Sequence, residues 1–325
     1  MAKPGPRCFL FHQIDCIIKI LWYWFVSILV KLTPSCFWRE KPIKGKTVLI
    51  TGSGRGLGKA LALEFARRGA NLVLWSRSAP PLAETKAEIV ALGVRVETYV
   101  VDVGDKDQVR LAAERVKREV GQVDVLINNA GICWPHCTST MPNDELDLFI
   151  RTNFLAQHYV NHEFVPEMIE RDEGHVVAMS SVSGIISIPF QAAYASSKHA
   201  MSSYMASLHA ELQLLESNVK VTVLSAYIVE TEMTKGFNAS TTPCLLPNLK
   251  LNYTIQRFVH GILTNETEVI LGRFWYWISW FLASAPFMSA YHFMRFVGLD
   301  RVLRGLVQNR IPEKRANRNL LIGKP

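Results

Sequence analysis

The sequence predicts an α/β fold, a doubly wound parallel sheet with helices on both faces. Three observations predict it. From residue 47 onward, short apolar runs alternate with longer stretches of helical composition, the alternation that crossover-connected parallel strands require. The first run opens into a glycine cluster and then a helix. The polar residues able to carry chemistry fall just after the apolar runs, at the carboxyl ends of strands, where open parallel sheets bind ligands.

Thr47–Ile50 reads as the first strand, a buried one by its length and composition. It enters Thr51-Gly-Ser-Gly-Arg-Gly-Leu-Gly58, and Lys59–Arg68 is the helix that follows. In this strand–turn–helix setting Gly52, Ser53, Arg55, Gly56, Leu57 and Gly58 form a loop that lets the backbone approach a pyrophosphate. The helix N-terminus adds free N–H groups and a positive dipole, so the sheet is of the Rossmann type. Asn71–Trp75 is the second strand. Helix 82–92, strand 94–101, helix 106–120 and strand 123–127 continue the alternation into Asn128-Asn-Ala-Gly131, and a later strand covers 220–224. Asp102 and Val103, at the end of the third strand, are placed to meet an adenine edge.

The residue after the second strand discriminates the cofactor. An acidic side chain there would bond a ribose 2′-hydroxyl and select NAD. This chain has Ser76-Arg77, and Arg55 stands in the glycine loop. Two guanidinium groups suit a 2′-phosphate, so NADP is expected, with NAD as the alternative.

Outside residues 44–262 the chain changes character. Residues 1–43 hold an apolar segment, 9–32, whose uninterrupted core Ile20–Val30 lies between Lys19 and Lys31. That is shorter than the roughly 20 residues of a spanning helix, so a retained N-terminal membrane anchor is expected either to span or to lie in the interface. Lys31, Arg39, Lys41, Lys44 and Lys46 follow it and only Lys3 and Arg7 precede it, which puts the main domain in the cytosol. Three sequons, at Asn238, Asn252 and Asn265, would argue for the lumen if they were used. Residues 263–325 form an aromatic-rich C-terminal extension, with no Asp, Glu, Lys or Arg between Arg273 and Arg295 and a basic tail over 310–324. Trp and Tyr prefer the headgroup boundary, so membrane lipid is an expected partner at both ends of one domain.

The net charge of +8 has no nucleic-acid motif behind it, and no nucleic-acid partner is expected. The six cysteines have no disulfide or zinc spacing and are read as reduced thiols. Cys133, His136 and Cys137 lack a fourth ligand nearby, so no metal is expected.

Tyr194 and Lys198 stand four residues apart, about one helical turn, and share a helix face. An ammonium beside a phenol favours the ionised form, so Lys198 is expected to lower the Tyr194 pKa from about 10 toward the physiological range. Such a pair is an acid/base candidate.

These motifs together, Thr51-Gly-x-x-x-Gly56-x-Gly58, Asp102, Asn128-Asn-Ala-Gly131, Asn153, Ser181 and Tyr194-x-x-x-Lys198, resemble the short-chain dehydrogenase/reductase family over roughly residues 44–262. The resemblance implies Tyr194 as catalytic acid/base. Ser181 would bond the substrate oxygen and the Tyr194 hydroxyl. Lys198 would hold the nicotinamide ribose. Asn153, in a helix over 145–159, would hold a water linking Lys198 to solvent. Asn129, Ala130 and Gly131 would line the cofactor, and Thr231 would bond its carboxamide. Residues 232–258 would be a lid, carrying Met233, Phe237, Leu245, Leu246 and Tyr253. The sequence departs from the family after strand 220–224, where Ala226-Tyr227 replaces a common Pro-Gly.

The anchor, the basic residue after Trp75 and the C-terminal extension look like the membrane-associated branch acting on retinoids and steroids. The function this implies is a membrane-bound NADP(H)-dependent oxidoreductase of a lipophilic alcohol/carbonyl pair. Retinol/retinal is the first choice and a 17-beta-hydroxysteroid the second, with Pro189–Ala193 as an apolar substrate wall. The location implied is the endoplasmic reticulum membrane or a lipid droplet, and a homodimer is among the assemblies the resemblance admits. A rival of another class is a lipid-surface scaffold with little turnover, supported by Ala226-Tyr227.

Overall fold

The structure is a computed structural model and describes residues 6–32, 38–234, 248–271, 273–296 and 298. The chain divides into two compact units, Met1–Lys41 and Pro42–Pro325. In the first, α1 (Pro6–Leu32) is one 27-residue helix. Its apolar side chains stand in the open: Ile17, Ile18, Leu21, Trp22, Trp24 and Phe25 are each more than half exposed. Asp15 is paired with Lys19 one turn on, at 2.6 Å. Among the described residues no helix is long and apolar enough to cross a membrane.

The second unit is built on seven parallel strands in the order β3-β2-β1-β4-β5-β6-β7. They are β1 (Thr47–Thr51), β2 (Asn71–Ser76), β3 (Val96–Val100), β4 (Val125–Asn128), β5 (His175–Met179), β6 (Lys220–Ser225) and β7 (Glu268–Ile270). Side chains alternate across β1: Val48 and Ile50 enter one core and Leu49 the other. One face is covered by α2 (Gly56–Arg67), α3 (Ala79–Val90) and α8 (Leu251–Leu263), through Leu61, Phe65, Ile89, Ile255 and Phe258. The other is covered by α4 (Lys106–Glu119), α6 (Ala156–Glu170) and α7 (Ala192–Leu214), through Val109, Val116, Val160, Phe164 and Met205. The strand order reverses between β1 and β4, which opens the ligand crevice outside their carboxyl ends.

The observed elements depart from the expected ones most at three places. The helix after the glycine loop begins at Gly56, inside the glycine run. The helix expected over 145–159 is α5 (Asn143–Ile150), a π turn over Arg151–Leu155, and then α6. Residues 251–258, expected in the lid, are the first turns of α8, where burial of Ile255 and Phe258 makes them core. Residues 235–247 of the expected lid, with Phe237, Leu245, Leu246 and the Asn238 sequon, lie outside the described residues, as do Cys36, Cys244 and the tail 310–324.

The apolar segment after β7 is two helices, α9 (Arg273–Ser284) and α10 (Phe287–Phe296), broken at Pro286, whose ring cannot continue a helix. Ile278, Leu282, Ala290 and Phe293 pack on Val182 and Ile186, a few residues after Ser181. Phe281, Phe287, Met288 and Phe296 are left 67%, 93%, 61% and 78% exposed.

Candidate active site

The glycine loop is stitched down by its neighbours. Gly52 has φ +66°, and a Cβ there would come within 2.8 Å of Ala130. At Gly58 a Cβ would sit 2.3 Å from the Gly52 carbonyl oxygen, so the loop and the first turn of α2 touch backbone to backbone. The Asn129 amide donates to the carbonyls of Thr51 (2.8 Å) and Gly52 (3.1 Å). The Thr51 hydroxyl accepts from Asn129 N and Ala130 N. Asn129 is thus spent on tying the end of β4 to the end of β1. Ser53 turns inward and donates to the Trp75 carbonyl at 3.2 Å, while Leu57 packs on the core.

Arg55 and Arg77 are both exposed, and the Arg77 guanidinium lies 3.9 Å from the Asp102 carboxylate. Asp102 also accepts from Gly104 N at 2.9 Å, and Val103 is buried beside it. Beyond the loop, Arg55, Gly56, Lys59, Glu84, Thr231 and Thr234 line a groove of about 840 Å³. The Thr234 hydroxyl accepts from Thr231 N and donates to Val229 O.

The acid/base candidates converge at the ends of β5 and β4. Ser181, two residues past β5, accepts from Ser183 N at 3.1 Å, donates to Ala226 O at 3.4 Å and hydrogen-bonds the Tyr194 hydroxyl. Tyr194 and Lys198 share a face of α7, with the Lys198 ammonium 5.8 Å from the tyrosine ring centre. Lys198 Nζ donates to Met179 O at 2.6 Å. Asn153, in the π turn, accepts from Ile132 N (2.8 Å) and donates to Ile132 O and to the Ser197 hydroxyl. The expected water-holding amide is therefore clamped by protein partners. A π turn swings side chains out of helical register, which is how Asn153 faces the Gly131–Ile132 turn.

Electrostatics corrects one expectation. Burial pushes the Tyr194 hydroxyl above the ordinary tyrosine range, the nearby Cys133 thiol adds to this, and only the Ser181 hydrogen bond opposes it. Lys198 does not lower Tyr194. It is itself lowered to about 8, chiefly by burial, with Cys133 opposing. Desolvation outweighs the neighbour effect because both groups lie in the protein interior. Cys133 is pushed up to about 12, again by burial, with Lys198 opposing.

On the substrate side, His136 N donates to Phe190 O at 2.7 Å, joining the loop after Gly131 to the loop before α7. Phe190 has φ +61°, a conformation costing a bulky residue about 1–3 kcal/mol, and such strain gathers at functional sites. Tyr227 packs against both the sheet core and the Val182–Ile186 cluster under α9 and α10. Phe190 falls within the expected apolar wall Pro189–Ala193, but its positive φ and the double packing of Tyr227 leave no short-range signature in the sequence.

Together these features fit a dinucleotide. The glycine loop has no room for a side chain at Gly52 or Gly58, which keeps loop, helix and the Asn129–Ala130 turn in backbone contact, and a Cβ on Gly131 would stand 3.2 Å from Asn153 Oδ1 and 3.6 Å from Lys198 Nζ. Among the described residues no group of three or more His, Cys, Asp or Glu side chains is placed to hold a metal ion.

The fold and this arrangement define a class, and comparison with known proteins names it. The family model described as short chain dehydrogenase matches residues 46–242, and the chain belongs to that family of oxidoreductases. Among its relatives, human retinol dehydrogenase 10 is 32% identical over 320 residues, covering 90% of this chain and 93% of the relative. Human estradiol 17-beta-dehydrogenase 11 is 35% identical over 234 residues (72% and 77%), and human 17-beta-hydroxysteroid dehydrogenase 13 is 34% identical over 256 residues (78% and 83%). Among solved structures, a short-chain dehydrogenase/reductase from Burkholderia phymatum in complex with NAD superposes with a TM-score of 0.66 at 24% identity, over 73% of this chain and 92% of that one. A metagenomic short-chain oxidoreductase in complex with NADP has a TM-score of 0.61 at 27% identity, over 71% and 98%.

Proposed function

We propose that this chain interconverts a lipophilic alcohol and its carbonyl with NADP(H), with retinol/retinal as the pair. One observation carries the reading: Ser181, Tyr194, Lys198 and Asn153 converge beside a glycine loop that admits no side chain at Gly52 or Gly58. The bound nicotinamide supplies or accepts the hydride. Tyr194 gives its hydroxyl proton to the developing alkoxide, or takes it back in the other direction. Ser181, already bonded to that hydroxyl, steadies the same oxygen. Lys198 holds the nicotinamide ribose, and Thr231 the carboxamide. Gly52, Ser53, Arg55, Gly56, Leu57, Gly58, Asn129, Ala130 and Gly131 frame the dinucleotide, with Asp102 and Val103 at its adenine end. Arg55 and Arg77 favour the 2′-phosphate because both guanidinium groups are exposed near that end and no acidic residue directly follows β2.

The retinoid choice is supported by the near full-length likeness to a retinol dehydrogenase. A 17-beta-hydroxysteroid is the second choice, supported by the other two relatives. Membrane lipid as partner is supported by the open apolar surfaces of α1 and of α9–α10. The endoplasmic reticulum membrane or a lipid droplet is the location we infer from the family resemblance, and a catalytic unit facing the cytosol is supported by the basic residues after α1. A homodimer is the assembly we would test first.

The experiment is a panel of retinal, ketosteroids and apolar ketones with NADPH and with NADH, run on wild type and Tyr194→Phe. Turnover of retinal with NADPH, falling roughly 10²–10⁴-fold in the variant while cofactor still binds, is expected. No turnover of any panel member by a cofactor-binding protein would sink the enzyme reading and leave the lipid-surface scaffold.

A further inference from the structure

Three buried amides line up along the polypeptide that carries Asn153. Asn153, Gln157 and Asn161 are spaced four residues apart and are 2%, 4% and 2% exposed. Asn153 is bonded to Ile132 and Ser197, and Asn161 Oδ1 accepts from Asn128 Nδ2 at 2.8 Å. Gln157 is different: among the described residues neither its Oε1 nor its Nε2 has a hydrogen-bond partner. A buried amide left unpaired is costly, and Leu or Met would fill the same position without that cost.

Gln157 lines a cavity of about 10 Å³ shared with Thr51, Asn128, Thr152 and Asn153. That is the space one water occupies, and apolar voids stay dry where polar ones of this size do not. The cavity sits between the π turn and the ends of β1 and β4, which carry the Gly52–Gly58 and Asn129–Gly131 turns.

We propose that this space binds one ordered water and that Gln157 is a positioning residue acting through it. The water gives the Gln157 amide its partners. It ties α6 to the ends of β1 and β4, and so holds the backbone on which the dinucleotide rests. Neutral amides do not pass protons readily, so the role is positional and separate from proton transfer at Tyr194. The positioning role rests on the dinucleotide reading above; the water site does not.

The test has two arms on the full chain. In the first, a high-resolution crystal structure of the wild type should show a water within about 2.7–3.2 Å of the Gln157 amide and of Asn128 or Thr51. A dry cavity, or Gln157 turned onto a protein partner, overturns the site. In the second, NADPH affinity is titrated by fluorescence in Gln157→Met and Gln157→Asn. Met should weaken binding about tenfold, the loss of roughly one hydrogen bond's worth of positioning, with little change in Tm. Asn, which leaves room for the water, should stay within about twofold of wild type. Wild-type affinity in Gln157→Met, or a loss in both variants that merely tracks Tm, overturns the positioning role. If Gln157→Met does not fold, the Asn variant and the wild-type structure decide. A wild type that binds neither NADPH nor NADH refutes the dinucleotide reading and with it the positioning role, and the crystal structure still judges the water.

Discussion

Lys198 brings an ammonium into the interior with one carbonyl, Met179 O, accepting from it. Its depressed pKa makes a signed prediction. In the cofactor-free protein the folded state releases this proton near pH 8, whereas the unfolded chain holds it to about 10.4. Between those values the unfolded state binds more protons, so stability rises with pH, by up to the order of 3 kcal/mol. Lys198→Met should remove that rise, seen as a wild-type-minus-variant difference that grows from pH 8 to pH 10 in urea unfolding. A flat difference would refute it. Tyr194 has the opposite sign: its raised pKa adds stability that is lost above pH 10, outside this window. A second residue-scale prediction concerns Gly58. Its Cβ would meet Gly52 O at 2.3 Å, backbone against backbone with no flexible side chain to yield. Gly58→Ala should keep its circular dichroism and lose more than about tenfold in NADPH affinity, which fluorescence titration reads.

At the scale of elements, α9 and α10 have two different faces. One packs on the loop that follows Ser181; the other leaves Phe281 and Phe287 in the open. An exposed patch of this kind marks a surface that docks on something apolar. Phe281→Glu combined with Phe287→Glu should leave Tm within about 1 °C, since exposed positions contribute little to folding. The same pair should sharply reduce co-sedimentation with anionic vesicles; unchanged sedimentation would remove these helices from the membrane contact. Element by element, most strands were legible in their short apolar runs. β5 was not, because it opens on His175, a polar residue buried by its bond to Thr222 at 2.8 Å. β7 was not, because three residues carry no period. The break of the expected 145–159 helix was also invisible, since a π turn has no residue signature and its reason lies in the Ile132 backbone across the crevice.

For the whole molecule, the parallel sheet makes cofactor binding and folding one equilibrium. Loops after β1, β2, β3 and β4 all face the proposed dinucleotide, so a ligand touching them stabilises a unit that unfolds together. A cofactor at 100 times its dissociation constant adds about 2.7 kcal/mol. NADPH should therefore raise Tm more than NADH at equal concentration, and the reverse order would overturn the cofactor preference. Basic residues flanking α1 and the +8 net charge predict in addition that attachment to anionic membranes weakens in high salt, where the charge is screened.

The sequence by itself determined the fold class and marked the glycine loop, Asn128–Gly131 and the Tyr194/Lys198 pair as candidates, with Ser181 added by the family resemblance. It could do so because glycine turns, apolar runs and a four-residue helical spacing are local properties. Only the tertiary structure decided the electrostatics of the site and its surroundings. The spacing of Tyr194 and Lys198 predicted a lowered phenol, but burial depends on what the rest of the chain places around them. It raises Tyr194 and lowers Lys198, because removing a charge from water costs more here than the neighbouring charge returns. The Gln157 amide, unpartnered among the described residues, and the place of Tyr227 under α9–α10 likewise come from contacts between distant segments.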